Sequence, residues 1–362
     1  MIKISNVKNT IIQGETVETL RQFPDKSIDC IFADPPYFMQ TEGTLLRTEG
    51  TAFQGVDDDW DKFSSYNEYD QFCFEWLKEC QRVLKDKGSI WVIGSFQNVY
   101  RLGYIMQELG FWILNDVIWE KSNPAPNFRG TRLTNAHETM LWCTKNKKAS
   151  YTFNYQTMKF LNGNKQERSV WNIPLCTGNE RLKDKNGKKL HATQKPEKLL
   201  EKVILSSTKP GDLILDPFMG TGTTAAVATQ LARNFVGIER EEKYVKAATE
   251  RVKAVPYVTN DPIMLASLDV KKPRVPIERL IEAGMLKERE SLFDKFGGNG
   301  VVLKTTGCLD DGDSVLSIHK MSAKKLGKTN HNGWDYWFVK RGDDLVSINE
   351  FRENYREQFE NE

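Results

Sequence analysis

The chain has 362 residues, a formal net charge of +2 and a hydrophobic fraction of 39%. That length suits two domains or one large domain with an appendage, and the apolar content excludes wholesale disorder. The near balance of charge confines any affinity for nucleic acid to local basic surface, and six cysteines without a C-x-x-C pair, beside four histidines, indicate neither a zinc site nor a disulfide framework.

Met1-Ile2-Lys3-Ile4 has no apolar signal core and no apolar run approaches spanning length, so a cytoplasmic setting without membrane contact is expected. Ile11 to Glu15 reads as a short strand and turn, and Thr16 to Phe23 as a helix ended by Pro24-Asp25. The apolar run Ile28 to Ala33 predicts a buried strand. Asp34-Pro35-Pro36-Tyr37 follows it, and the two prolines end the strand, because proline cannot donate to a ladder and restricts the residue before it. The product is a rigid corner at the carboxyl end of a strand, where open α/β sheets place their ligands. The corner presents a carboxylate, a proline carbonyl and an aromatic face. Two acceptors and a ring suit a planar base with an exocyclic amine; an ordinary turn with a core tyrosine is the alternative.

Phe38 to Phe63 is a long segment without periodicity, and loops of that length usually carry function. Leu45, Leu46 and Arg47 stand at its middle; the leucines read either as wedges against bases or as packing on the domain. The cluster Asp57 to Asp61 would repel phosphate and reads as a capped turn or hinge. Tyr66 to Leu84 has helical spacing with Gly88 beyond its end, and its aromatic stripe reads as core. Ser89 to Gly94 is a buried strand, Val99 to Leu109 a helix, and Phe111 to Trp119 and Glu138 to Cys143 are further strands. Alternating strands and helices predict a parallel or mixed sheet with helices on both faces.

Residues 121–137 and 151–193 are irregular, basic and rich in Asn and aromatics, and Arg181 to Lys198 holds seven Lys/Arg against two acids. Placed between two halves of one sheet and beside a site for a base, they are expected to meet phosphates and base edges. A helix follows from Pro196 to Ser207, then a buried strand to Asp216. Pro217 to Thr224 forms a Gly-rich loop into the Ala-rich helix Thr224 to Arg233. The strand Asn234 to Glu239 completes a β-α-β unit, and Glu241 to Val252 is the next helix. Gly220 and Gly222 admit close backbone approach, the helix offers unpaired N–H groups, and Glu239 is placed to accept from ribose hydroxyls. Gly220-x-Gly222-x-x-Ala225 also satisfies the dinucleotide fingerprint, so a nicotinamide-dependent oxidoreductase is a competing reading. Asp216 beside Phe218 departs from it, because a carboxylate suits a cationic amino acid portion better than a pyrophosphate, and Phe218 can cover the ligand. Residues 256–275 hold the prolines Pro256, Pro262 and Pro273 and read as a linker; 276–362 reads as a separate α+β module, with an acidic tail from Asp343 forming a surface helix or partner contact.

Asp216-Pro217-Phe218-Met219-Gly220-Thr221-Gly222 resembles the S-adenosylmethionine motif of adenine-N6 DNA methyltransferases, and Asp34-Pro35-Pro36-Tyr37 resembles their catalytic motif. The order, catalytic corner first and cofactor loop later, is that of their β group. Thr193-Gln194-Lys195-Pro196 resembles the segment leading into the first cofactor helix. Ser89 to Ser95, Asn135 to Thr139, Ser317-Ile318-His319-Lys320 and Asn332-Gly333-Trp334 are similar to stretches of HinfI-type and cell-cycle-regulated GANTC methyltransferases. The resemblance implies a Rossmann-like α/β methyltransferase sheet with helices on both faces over 1–255, plus the C-terminal DNA-binding module. It implies S-adenosylmethionine held by Glu15, Lys195, Asp216, Phe218, Gly220, Gly222, Thr223, Thr224 and Glu239. Gly14-Glu15 stands where the family usually has Gly-Asp, one methylene shorter. Catalysis would rest on Asp34, Pro35, Pro36 and Tyr37, acting on adenine N6 flipped out of double-stranded DNA. Cytosine N4 is the alternative target for the same corner, although Ser is then more usual in place of Asp34. A non-catalytic DNA-binding protein is a further reading, opposed by the intact corner and loop. Leu45, Leu46, Arg47, Asn127, Arg129, Arg132, Arg168, Arg181 and Lys183 are the expected DNA-facing residues, with His319, Lys320 and Trp334 in the C-terminal module, where basic residues interleave with aromatics. No metal is expected. A homodimer, a cognate restriction endonuclease and a bacterial, nucleoid-associated location complete the expectations.

Overall fold

The computed structural model describes residues 2–38, 45–46, 52–53, 61–127, 130–256, 258–270 and 274–359. The chain divides into two compact units, 1–270 and 271–362.

The first unit contains α1 (Ile4–Val7), β1 (Thr10–Gln13), α2 (Thr16–Leu20), β2 (Ile28–Ala33), a small pair β3 (Leu45–Leu46) and β4 (Ala52–Phe53), α3 (Tyr66–Val83), β5 (Leu84–Gly94), α4 (Val99–Glu108), β6 (Trp112–Glu120), β7 (His137–Thr144), α5 (Tyr155–Leu161), β8 (Val170–Asn172), α6 (Glu197–Ser207), β9 (Leu213–Asp216), α7 (Thr223–Gln230), β10 (Asn234–Glu239) and α8 (Glu242–Lys253). Eight strands form one sheet in the order β1-β10-β9-β2-β5-β7-β6-β8. The first five are parallel, and β7 runs antiparallel between β5 and β6.

The central strand β2 is apolar on both faces, as a strand covered on both sides must be. Ile31 and Ala33 enter one core with α2, α3 and α4; Cys30 and Phe32 enter the other with α5, α6 and α7. This period of two divides the unit into three layers. From β9 the chain crosses through α7 to β10 on one side, and from β2 through α3 to β5 on the other. Strands β2 and β9 are neighbours, so their carboxyl ends flank the point where the winding reverses, the usual ligand crevice of such sheets. Asp34 and Asp216 stand at those two ends.

Two expectations are corrected here. Residues 151–193 are not wholly irregular: they contain α5 and β8, and Asn154 anchors the segment by donating to the carbonyls of Leu205 and Thr208 at 2.7 Å each. The expected linker is not free chain over 259–269. The Thr259 N–H reaches the Gln230 carbonyl at 2.7 Å, and Asp269 accepts from the backbone N–H groups of Gln156 and Thr157 in the first turn of α5 at 2.8 Å each.

The second unit holds α9 (Ile277–Glu282), β11 (Ser291–Phe293), β12 (Val301–Leu303), β13 (Cys308–Asp310), β14 (Val315–Ser317), α10 (Ile318–Lys325), β15 (Phe338–Arg341), β16 (Asp344–Ser347) and α11 (Ile348–Phe359). Its six strands form an antiparallel sheet in the order β14-β13-β12-β11-β15-β16. Leu280, Leu292, Leu303, Met321, Trp334 and Trp337 are among its core residues. No helix among the described residues is long and apolar enough to cross a membrane.

Candidate active site

The corner after β2 is held from three directions. Asp61 is buried, and its Oδ1 accepts from the backbone N–H groups of Tyr37 at 2.6 Å and Phe38 at 2.8 Å. The Tyr69 hydroxyl, on α3, donates to the Pro36 carbonyl at 2.9 Å and accepts from Asn98 at 2.9 Å. Asn98 Oδ1 in turn accepts from the Ser95 N–H beyond β5 at 2.8 Å. A residue expected as a capped turn and one expected as plain core therefore fix the backbone that aims Asp34. Every polar atom named here has a partner, which makes the corner stiff.

Around Asp34 lies a buried cluster of charges. Lys195 Nζ is 2.8 Å from Asp34 Oδ1 and 2.7 Å from Oδ2. The Tyr37 hydroxyl is 2.8 Å from Asp34 Oδ1 and 3.1 Å from Glu138 Oε2, with one proton to give to either. Glu138, at the start of β7, also meets Lys121 Nζ through Oε1 at 2.8 Å and lies 3.7 Å from Lys195 Nζ through Oε2. The Lys195 ammonium sits 5.1 Å from the centre of the Tyr37 ring. Burial raises the Asp34 carboxyl above its ordinary value, with Lys195 opposing. Burial also pushes Glu138 up, but Lys195 and Lys121 outweigh it and hold that carboxyl low. The Tyr37 phenol lies well above its usual value through burial and the two carboxylates, so it stays protonated.

A cavity of about 260 Å³ joins this corner to the Gly-rich loop; Asp34, Tyr37, His191, Lys195, Phe218 and Glu239 are among its lining residues. Asp216 Oδ1 accepts from the Phe218 N–H at 3.0 Å and Oδ2 from Thr224 Oγ1 at 2.5 Å, so this carboxylate shapes the loop as well as facing the cavity. Desolvation pushes it up to about 7. Glu239 Oε2 accepts from the Gly220 N–H at 2.8 Å, and Oε1 from the Glu241 N–H at 2.8 Å. Glu15 lines the mouth and is 3.5 Å from Arg240.

Gly220, Thr223 and Thr224 are among the residues that line the cavity; Gly222 is not. With φ at +80°, Gly222 takes a left-handed conformation, and a Cβ there would lie 2.7 Å from Ala248 Cβ on α8. Close packing of the loop on α8 is thus a reason for glycine at 222 that the sequence pattern does not show. Thr223 accepts from Arg251 Nη1 at 2.8 Å, and Thr224 is bound to Asp216. Lys195, expected on the cofactor, has its ammonium on Asp34 instead.

Glu138 lies within the Asn135 to Thr139 stretch that carries the family resemblance, but no spacing pattern assigns either Glu138 or His191 to the site. The Thr193 N–H points to His191 Nδ1 at 3.2 Å, which places the ring proton on Nε2. Burial lowers this imidazole to about 4, so it is neutral at pH 7.

Of the residues expected to face DNA, Arg132, Arg168 and Lys183 are not buried: Arg132 is exposed, and Arg168 and Lys183 are on the surface. Arg132 stacks 5.7 Å from the Phe96 ring, and the Asn127 amide donates to the Arg132 carbonyl at 3.2 Å. Arg181 is committed within the chain: it donates to the carbonyls of Cys176, His191 and Ala192 at 2.8 to 3.2 Å and so clasps its loop. Lys183 instead belongs to a hairpin, where Leu182 and Leu190 pair at 3.0 Å and which carries Lys185 and Lys188 on its surface. His319 and Lys320 are exposed on α10. Trp334 is a correction: it is 7% exposed, lies in the core and has the Arg352 guanidinium 4.7 Å from its ring centre, so it is not a free stacking platform. Arg47 and Arg129 lie outside the described residues, as do the side chains of Leu45 and Leu46.

The similar stretches in the second unit pair with each other. The Gly333 N–H donates to His319 Nδ1 at 2.9 Å, and Trp337 Nε1 to the Ile318 carbonyl at 3.0 Å. A Cβ on Gly333 would fall 2.4 Å from the Ile318 carbonyl oxygen, so only glycine fits.

A family model described as a DNA methylase matches residues 28–250. Over 355 residues the chain is 59% identical to the Type II methyltransferase M.HinfI of Haemophilus influenzae, covering 98% of this chain and 99% of that protein. It is 44% identical over 249 residues to the Type II methyltransferase M2.DpnII of Streptococcus pneumoniae, covering 68% and 90%. Among solved structures, an M1.HpyAVI–SAM complex matches with a TM-score of 0.51 and 26% identity, over 67% of this chain and 98% of the other. The cytosine-N4-specific PvuII DNA methyltransferase shares the fold, with a TM-score of 0.53 and 22% identity over 70% and 92%.

Proposed function

The chain belongs to the N6/N4 DNA methylase family, and from that premise we propose that it transfers a methyl group from S-adenosylmethionine to adenine N6 within GANTC sites of double-stranded DNA. The observation that carries the reading is the single cavity joining Asp34 to the Gly220 loop and Glu239. A base amine at the first and a methyl donor at the second would meet inside it.

The residues suit the cofactor. Asp216 and Glu239 make that side of the cavity acidic, which favours a cationic amino acid and sulfonium and disfavours the pyrophosphate of a nicotinamide dinucleotide. Glu239 keeps acceptor capacity for ribose hydroxyls, and Phe218 forms part of the wall. When bound, S-adenosylmethionine supplies an electrophilic methyl group. Everything else is positioning by the chain. Asp34 Oδ2 has Lys195 as its hydrogen-bond partner and retains a lone pair for one N6–H; the Pro35 carbonyl is the second acceptor. The two together favour a pyramidal nitrogen whose lone pair faces the methyl group. The Tyr37 ring packs on the flipped base, whose extrusion costs on the order of a few kcal/mol.

Arg132, Arg168, Lys183 and the His319–Lys320 face meet DNA in this reading. It also includes a bacterial cytoplasm and a restriction endonuclease of the same target, both in keeping with the Type II methyltransferases of bacteria that the chain resembles. Incubation with labelled S-adenosylmethionine and a GANTC duplex should label adenine at N6. Label on cytosine, or none, would overturn the assignment.

A further inference from the structure

The buried charges around Asp34 exceed what holding a base requires. Glu138 divides its two oxygens: Oε1 is fixed by Lys121 at 2.8 Å, while Oε2 stands at 3.1 Å from the Tyr37 hydroxyl and 3.7 Å from Lys195. Both of those groups are closer to Asp34, at 2.8 Å and 2.7 Å. Glu138 Oε2 is thus a second, looser partner for each donor that serves Asp34.

We propose that Glu138 is a positioning residue for methyl transfer, a reserve counter-ion that takes over the Lys195 ammonium and the Tyr37 hydroxyl when Asp34 receives the amine proton. This rests on the adenine-N6 reading above. Transfer forms an N–C bond from the N6 lone pair and breaks the C–S bond, whose electron pair leaves with sulfur. The nitrogen then carries one proton too many, and Asp34 Oδ2 takes it, the N–H pair returning to nitrogen. Asp34 is left neutral, and a buried ammonium facing a neutral acid is strongly unfavourable. Lys195 closes on Glu138, and Tyr37 turns its proton from Asp34 Oδ1 to Glu138 Oε2. Glu138 therefore makes the protonation of Asp34 tolerable.

Among the described residues, Lys121 just after β6 meets Glu138, and the other charged or titratable groups on the walls of the same cavity are Asp61 and Lys62 before α3, His191 before α6, Asp216 from β9, Glu239 and Arg240 at the end of β10, Glu15 before α2 and Tyr244 on α8. The Glu138 charge raises Asp34, and the Tyr37 hydrogen bond lowers it. The two variants should therefore move the acid limb of the rate profile in opposite directions.

In single-turnover transfer to a GANTC duplex, Glu138→Gln should be slower by roughly ten- to a hundredfold, with its acid limb at lower pH. Cofactor affinity by calorimetry and target flipping by 2-aminopurine fluorescence should be unchanged, and Glu138→Asp should recover part of the rate. Tyr37→Phe should move the acid limb to higher pH. A Glu138→Gln enzyme with the wild-type rate and profile overturns the proposal, as does a slower one whose limb is unmoved and whose flipping or cofactor binding falls in parallel. If Glu138→Gln does not fold, Tyr37→Phe decides, and an unshifted limb there overturns it. Wild-type enzyme that fails to label adenine overturns this proposal together with the reading beneath it; wild-type labelling beside an unaffected Glu138→Gln overturns this proposal alone.

Discussion

Asp34 serves two ends at once: it accepts from a base amine in the proposed reaction, and it neutralises Lys195 in the resting protein. Replacing it by alanine should therefore have two separable effects. Methyl transfer should fall by on the order of a hundredfold or more through loss of one transition-state acceptor. Stability should fall as well, by less than the ~3–5 kcal/mol of an unpaired buried charge, because the ammonium loses its nearest partner but keeps Glu138 at 3.7 Å. Denaturant melts beside single-turnover assays measure both, and cofactor affinity should persist. Near-normal turnover would remove Asp34 from the mechanism. Asp216 offers a pH-dependent readout. Burial lifts its carboxyl to about 7, so below that pH it is mostly neutral and a cationic ligand must drive off its proton. Cofactor affinity should rise as pH increases toward 7 and then level off, by up to about tenfold per unit below the pKa. Calorimetry in buffers of different ionisation enthalpy should register a released proton, and Asp216→Asn should flatten the curve. A flat wild-type curve would place the ligand cation elsewhere.

At the scale of elements, the hairpin around Lys183 and the helix α10 make different claims. The hairpin is closed by the Asp184 turn, with Asp184 Oδ1 accepting from the Asn186 and Lys188 N–H groups at 2.8 Å each, so its fold does not depend on its lysines. Lys183, Lys185 and Lys188 changed together to alanine should weaken DNA binding about equally for all sequences. The slope of log K against log salt should drop by up to about 0.9 for each phosphate that is no longer neutralised. An unchanged slope would assign the hairpin to solvent. Trp334 behaves as core: it packs with α10 and under Arg352, whose charge faces its ring. Trp334→Ala should cost the second unit about 3–5 kcal/mol, read as an early melting transition. Loss of DNA binding with unchanged melting would instead restore a direct role in binding.

For the molecule as a whole, the division at residue 270 sets the expected behaviour of fragments. Residues 1–270 contain the complete eight-stranded sheet and both of its cores, and 274–359 contain a sheet and core of their own. Expressed alone, 1–270 should fold and bind S-adenosylmethionine, with much weaker affinity for a GANTC duplex and lower activity. The boundary matters: a cut at 255 would remove Asp269 from the first turn of α5 and the Met264 carbonyl that accepts from Arg233 at 3.0 Å. Full activity of 1–270 would make the second unit dispensable, and aggregation would assign it a part in stability.

The elements of the sheet were legible in the sequence because they rest on local patterns. Ile28 to Ala33 and Leu213 to Asp216 are short apolar runs closed by proline, and Tyr66 to Val83 repeats its apolar residues at helical spacing. The corner, the Gly-rich loop and the acid at the end of β10 followed from turn chemistry and spacing, and all three line one cavity. Tertiary structure alone decided the partners. Glu138 reaches Tyr37 across 101 residues and Lys195 reaches Asp34 across 161, separations set by strand order, which no local pattern encodes. The same holds for Asp61, read from sequence as part of a capped turn or hinge, whose carboxylate holds the corner's N–H groups, and for Gly222, where α8 leaves no room for a side chain. It holds for Trp334, which the family resemblance puts among the DNA-facing residues, while packing against α10 and α11 buries the ring. A side chain's chemistry is fixed by its type, but its charge state, exposure and partner are fixed by what packs against it, and long-range pairing brings those groups together.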